Sequence, residues 1–381
     1  MTPTPVLDAV SIRRLLHTHP ELAFAEVHTT ALIVDQLTAL GLAPRVLPSG
    51  TGVLCDIGSN GPVIALRADI DALPIPDLKD VPYRSTVDGV CHGCGHDAHT
   101  AILLAAATEL VRTPLPGRVR LVFEPGEETL PGGALNVIAT GELDDVQRIF
   151  ALHCDPRLDT GAIGVRSGPI TAACDQLEVA LAGPGGHTAR PHLTAELVYA
   201  AGLVVTELPG LLSRRVDPRA ALSLVWGSVQ AGRAANAIPM SGSVRGTLRV
   251  FDRDTWDAAG PLVEELVHQI VAPTGVEVET KYVRGVPPVV NAAIAVETQT
   301  NAIVSSLGPA ALTETLQSMG GEDFAWYLDA IPGALARIGV RRPGSRSFDL
   351  HQGTFDIDED ALDVGVRYTV ELARAALAEL T

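Results

Sequence analysis

Cys91-His92-Gly93-Cys94-Gly95-His96-Asp97-Ala98-His99 sets two thiols and three imidazoles within nine residues. An alanine-rich apolar run at 100–112 follows and reads as a buried helix. Soft and borderline ligands crowded onto a glycine-punctuated loop form half of a metal site. Cys94 and His96 are two apart, so in extended backbone their side chains point the same way and reach one ion. Two other readings compete. Cys91-x-x-Cys94 has the spacing of a redox pair, but that motif opens the helix of a thioredoxin-like unit, and here a glycine and histidines surround it. A closed structural zinc site needs a second Cys-x-x-Cys, which the sequence lacks.

Outward from this loop, three apolar strands each end in polar, metal-competent residues. The strand at 62–68 runs into Asp69-Ile70-Asp71. The strand at 118–124 leads to Pro125-Gly126-Glu127-Glu128. The strand at 148–152 ends at His153. In open α/β sheets that carboxyl edge is where sites form. Glu127 and Glu128 are neighbours whose side chains face different ways, so one binds metal while the other faces the reacting water. The bland alternative is a solvated acidic turn, against which stand the apolar strand and the Pro-Gly turn before the pair. His351 lies in Phe348-Asp349-Leu350-His351-Gln352-Gly353-Thr354-Phe355, ahead of a final helix at 360–380. Alone, His153 reads as a satisfied core histidine and His351 as a weak signal. The force lies in four segments offering zinc- or manganese-type ligands to one edge.

The middle of the chain reads differently. Strands at 175–182, 220–226, 242–250 and 276–282 alternate with helices at 194–212 and 254–271, the βαββαβ order of a ferredoxin-like unit. The expected organisation is therefore α/β. Residues 1–172 and 287–381 form a catalytic metal-binding domain, interrupted by a ferredoxin-like α+β insertion at 173–286. At 381 residues and 46% hydrophobic the chain buries a sizeable core. A net charge of −17 with no basic stripe argues against nucleic acid as a partner. No basic, apolar leader and no membrane-length apolar run are evident, and five scattered cysteines fit a reducing cytoplasm.

Taken together, several blocks in order resemble the metal-dependent aminoacylase and carboxypeptidase superfamily. They are His19-Pro20-Glu21-Leu22, Leu66-Arg67-Ala68-Asp69-Ile70-Asp71-Ala72-Leu73-Pro74, Cys94-Gly95-His96-Asp97, Glu127-Glu128, Gly183-Pro184-Gly185-Gly186-His187, Gly320-Gly321-Glu322-Asp323-Phe324, and His351 with Phe355. The nearest branch is the amidohydrolases that include hippurate hydrolases, N-acyl-amino-acid deacylases and auxin-conjugate hydrolases. The resemblance implies a zinc-peptidase-like catalytic domain with a central mixed sheet, and a lid and dimerisation role for the insertion. It implies a dinuclear site on Cys94, His96, Glu128, His153 and His351, holding two divalent ions: zinc or manganese, with cobalt or nickel as further candidates. Glu127 falls on the general base. Asp71 falls on the acid that orients a ligand histidine. His187 and Asn236 fall on the substrate-contacting pair of the lid, whose histidine commonly serves the partner subunit's site in a homodimer or homotetramer.

The expected activity is cleavage of the amide bond of a small N-acyl amino acid or conjugate, with no nucleic-acid or membrane partner. A dipeptidase or carboxypeptidase of the same superfamily is the nearest alternative. A binding protein that keeps the fold without turnover is disfavoured, because every ligand and the base are present. The sequence departs from the family pattern at Cys91, at Glu124-Pro125-Gly126 and at 129–133, none of which removes a ligand. Arg249, on a lid strand, could clamp a substrate carboxylate through its two-pronged guanidinium. Glu322-Asp323 is expected to frame the pocket through backbone bonds. His17, His19, His28 and His268 read as ordinary helix or loop residues.

Overall fold

The structure is a computed structural model that describes residues 6–346 and 348–381. The chain separates into two compact units. The first comprises 1–168, 290–316 and 323–381, and the second 169–289 and 317–322. The second unit is slightly wider than the expected insertion and takes in the distant loop 317–322, which pairs back through the Thr171–Ser318 bridge.

The first unit is built on an eight-stranded mixed sheet. Its order is Arg45–Val46, Val53–Ile57, Arg118–Glu124, Val63–Asp69, Val146–Asp159, Gly333–Arg341, Ile163–Val165, Leu312–Glu314. Val63–Asp69 is central, runs parallel to both neighbours and is buried at every position. Such strands are covered on both faces, which is why this one reads as an almost unbroken apolar run. The helix His96–Leu110 is buried on nearly every side, as its all-round apolar composition demands. It packs with the C-terminal helix Asp360–Leu380 around a core that includes Leu66, Leu103, Phe123, Phe150, Tyr368 and Leu372.

One strand differs from expectation. Val146–Asp159 does not stop at His153 but continues past Pro156. Its pairing with Val63–Asp69 ends at the Arg67–Ala151 register, while Gly333–Arg341 accompanies it onward as far as Asp159. Beyond residue 151 the strand is an edge on one side, and an edge tolerates proline.

The second unit carries a four-stranded antiparallel sheet, ordered Ser223–Ala231, Ser241–Val250, Ala173–Ala182, Glu277–Val286. With the helices Leu197–Arg215 and Arg253–Val271 this makes the βαββαβ arrangement. Leu197–Arg215 is the one helix among the described residues long and apolar enough to cross a membrane. Its composition had not suggested a span, and here its Leu197, Ala200, Val204, Leu208 and Leu212 face is buried.

Candidate metal centre and active site

The loop quoted first reaches the site by a bend rather than by extension. Gly95 sits at φ +93°, and His96 opens the helix. Only glycine suits this place: the conformation is left-handed, and a Cβ would lie 2.8 Å from Cys154 Sγ. The turn still brings Cys94, His96 and His153 donor atoms within 4.8 Å of one another.

His96 is fully buried. Its Nδ1 lies 2.9 Å from the Asp71 carbonyl and 3.3 Å from Asp71 Oδ1. In the neutral ring that leaves Nε2 as a lone pair, and Nε2 has no hydrogen-bond partner among the described residues. It lies 3.9 Å from Glu127 Oε2, 3.8 Å from Glu128 Oε1 and 3.7 Å from Asp69 Oδ2. Asp71 Oδ2 accepts the Glu128 N–H at 2.9 Å, so one carboxylate ties His96 to the glutamate turn.

The two glutamates converge, contrary to the expectation that they face apart. They lie in a turn past the end of Arg118–Glu124, not in extended chain. They are not equivalent, however. Glu128 Oε1 lies 3.5 Å from His351 Nε2 as well as near His96, has no hydrogen-bond partner among the described residues, and shares donor groups with Cys94 and His351. Glu127 groups with His96 and Glu128.

His153 donates from Nδ1 to the Cys154 carbonyl at 2.8 Å, and its Nε2 lies 3.6 Å from Cys94 Sγ. His351 is held by its own N–H, which donates to the Gly93 carbonyl at 2.8 Å, and has φ +60°. At 55% side-chain exposure it marks the open side of an otherwise buried cluster.

The electrostatics describe surplus negative charge. Burial pushes Glu128 up to about 7, reinforced by Asp71 and Asp69 and opposed by His96. Burial alone would lower His96, but Asp69, Asp71 and Glu128 outweigh it and raise it to about 10. Burial, then the charges of His99 and Arg337, hold His153 well below the usual imidazole range. A buried acidic cluster with orphaned Nε2 and Oε1 atoms, ringed by thiol, imidazole and carboxylate donors, suits divalent cations.

Three features were not legible in the sequence. Arg67, inside the central strand, bonds Asp69 at 2.7 Å, Glu124 at 2.9 and 3.2 Å and Asp323 at 2.7 Å. Asp323 Oδ2 also accepts the Ala134 N–H, consistent with a framing role. His99 bonds Asp69 Oδ1 at 2.6 Å. His17 is not an ordinary helix residue. It is buried between Asp97 at 2.7 Å and Asp77 at 3.3 Å, with Arg13 on Asp97. Its neighbour Cys91 lies with His17 and Asp77, apart from the Cys94 groups, and receives the Lys79 ammonium at 3.5 Å. That ammonium, also 2.9 Å from Asp77, supplies the cation there.

In the second unit, His187 pairs with Ala237, and the Thr188 N–H donates to the Asn236 carbonyl, so the two residues are neighbours on an exposed ribbon. The Ala189 N–H donates to His187 Nδ1 at 3.0 Å. Neutral His187 therefore presents Nε2–H outward. Arg249 is engaged internally: its Nη1 donates to the Met319 carbonyl.

Metal-type donors at the carboxyl edge of an α/β sheet, beside a second carboxylate, define a hydrolytic metalloenzyme. The model of peptidase family M20/M25/M40 matches residues 65–375. The chain belongs to that family and is a hydrolase of amide bonds. It is 37% identical over 378 residues to an N-acetyl-L-cysteine deacetylase of Bacillus subtilis (strain 168), covering 97% of this chain and 88% of that one. It is 51% identical over 366 residues to a Rhodococcus jostii (strain RHA1) protein named "Putative glutamate--cysteine ligase 2-3". That match takes in 96% of this chain but 46% of the relative, so the chain spans about half of its length. A Bacillus subtilis structure described as a dinuclear metal-binding peptidase of the M20 family superposes with a TM-score of 0.85 at 34% identity, over 98% of both chains.

Proposed function

We propose that this chain removes the acyl group from small N-acyl amino acids, and that Cys94, His96, Glu128, His153 and His351 hold two divalent ions. The observation that carries the reading is the convergence of these donors on buried His96 Nε2 and Glu128 Oε1, which have no hydrogen-bond partner among the described residues. The thiolate favours zinc on softness, while imidazole and carboxylate also suit manganese, cobalt or nickel. When bound, such ions acidify water toward neutrality and polarise an amide carbonyl.

The protein's own groups do the rest. Glu127 takes the proton from the attacking water and returns it to the leaving nitrogen. Asp71 keeps the His96 ring turned with Nε2 toward the glutamates. His187, brought by the lid, donates its Nε2–H to the charge that develops on the carbonyl oxygen. Asn236 assists it in gripping substrate. Arg249 serves the substrate carboxylate only if it leaves Met319.

Cysteine-bearing substrates come first. One relative is named for N-acetylcysteine, and another, 46% of which this chain matches, bears a name that refers to glutamate and cysteine. The proposal includes a homodimer or homotetramer in the cytoplasm, on family resemblance and sequence. The test is to strip the metal with a chelator, restore zinc or manganese, and assay N-acetyl-L-cysteine, N-benzoyl amino acids and dipeptides. Metal-dependent release of free amino acid from the acylated substrates is expected. Dipeptide cleavage alone would transfer the assignment to a dipeptidase, and metal-independent turnover would refute the mechanism.

A further inference from the structure

We propose that His99 is a positioning residue for His153, and that Arg67 and Asp69 fix the tautomer through which it acts. The inference rests on reading His153 as one of the metal-holding residues.

The argument begins with the sheet. Beyond Ala151 the strand Val146–Asp159 has lost Val63–Asp69 as a partner, so one side of its backbone needs another. His99 fills the gap: its Nε2 accepts the Cys154 N–H at 2.8 Å. A neutral imidazole accepts at Nε2 only when Nδ1 carries the proton. Asp69 enforces that tautomer, because its Oδ1 accepts from His99 Nδ1 at 2.6 Å. Arg67 in turn holds Asp69 Oδ2 at 2.7 Å, and the same guanidinium is locked by Glu124 and Asp323. Every member of this chain is buried.

The far end of the chain is His153. The residue whose N–H His99 grips, Cys154, offers its carbonyl to His153 Nδ1 at 2.8 Å. That bond keeps the proton on Nδ1 and leaves the Nε2 lone pair toward Cys94 Sγ, 3.6 Å away. The His99 and His153 rings also touch, with centroids 4.8 Å apart. Gly95 also closes on Cys154, whose Sγ and Cβ would lie 2.8 and 3.0 Å from a Cβ at that glycine, so the gripped residue has little room to shift. His99 is thereby committed at both nitrogens. It is a support for the cluster, although its atoms lie within ligand distance of His96 and Asp69.

The experiment measures zinc affinity by chelator competition in the wild type, His99→Leu, His99→Gln and Asp69→Asn. His99→Leu removes both bonds and is expected to weaken one of two zinc sites about 10–100-fold. His99→Gln can donate to Asp69 and accept from Cys154, and is expected to recover most of that loss. A merely structural role would lower the melting temperature of these variants without moving zinc affinity. Wild-type affinity in His99→Leu would overturn the proposal. If that variant fails to fold, Asp69→Asn, which keeps the side-chain volume, decides: a 10–100-fold loss supports it, and wild-type affinity overturns it. A wild type that takes up fewer than two zinc ions would sink the metal reading itself, a result separable from unaffected His99 and Asp69 variants.

Discussion

Glu127→Gln and Glu128→Gln differ by one position and should fail in different ways. Glu128 Oε1 lies between two imidazoles, 3.8 Å from His96 and 3.5 Å from His351, and shares a donor group with Cys94. Glu127, as little exposed as Glu128 (11% against 10%), lies 3.9 Å from His96 Nε2 and groups with His96 and Glu128. Glu127→Gln should keep two bound ions and lose proton transfer. General-base removal costs about two to four powers of ten in kcat, or roughly 3–5 kcal/mol of barrier. Glu128→Gln exchanges a charged donor for a neutral amide at the centre of the cluster and should lose metal first. The assay pairs initial rates on N-acetyl-L-cysteine with metal content by plasma mass spectrometry after gel filtration. Metal loss in Glu127→Gln with retention in Glu128→Gln would show the two roles exchanged. A Glu127→Gln enzyme within threefold of wild-type kcat would refute the base assignment.

Three further outcomes follow from the geometry. Burial opposes the His17 charge, but Asp97 and Asp77 raise its pKa from 6.5 to about 10. The stability it confers is complete below the unfolded value and is lost as pH rises through the folded one, at about 1.4 kcal/mol per pH unit. Urea unfolding from pH 7 to 9 should cost the wild type about 3 kcal/mol more than His17→Gln, and parallel profiles would contradict the ion-pair reading. Cys94→Ser should abolish the thiolate-to-cobalt absorption of cobalt-loaded protein, whereas Cys91→Ser, altering the thiol beside Lys79, should leave it; the reverse pattern would place the metal elsewhere. His187→Ala should lower kcat about 10²–10³-fold at unchanged metal content, and unaltered turnover on every acyl amino acid tried would remove it from the mechanism.

Legibility followed the length over which a signal is spread. Val63–Asp69 could be read because a strand parallel to both neighbours and buried throughout is a near-continuous apolar run, and Arg118–Glu124 because apolar Leu121, Val122 and Phe123 lead to the acids past its end. The strands Ile163–Val165 and Leu312–Glu314 went unseen because three residues carry no period. Val146–Asp159 is read from sequence as ending at His153, where its apolar run stops; the structure carries it on past Pro156, which the neighbour's early end allows. Within the site, adjacency misled for Glu127 and Glu128, since a turn does not obey strand alternation. His17 and its partner Asp97 are 80 positions apart, and Arg67 reaches Asp323 across 256. Such long-range pairs leave no local pattern, even though Arg67 also bonds Asp69, and Lys79 bonds Asp77, two residues away.

The most direct measurement is anomalous diffraction from crystals of the metal-loaded protein, recorded at the absorption edge of the added ion. The account predicts two peaks per chain, both bounded by Cys94, His96, Glu128, His153 and His351, with the Glu127 carboxylate beside them and outside the ligand set. A single peak, or peaks at His17, Asp77 and Cys91 with none beside His96, would contradict it.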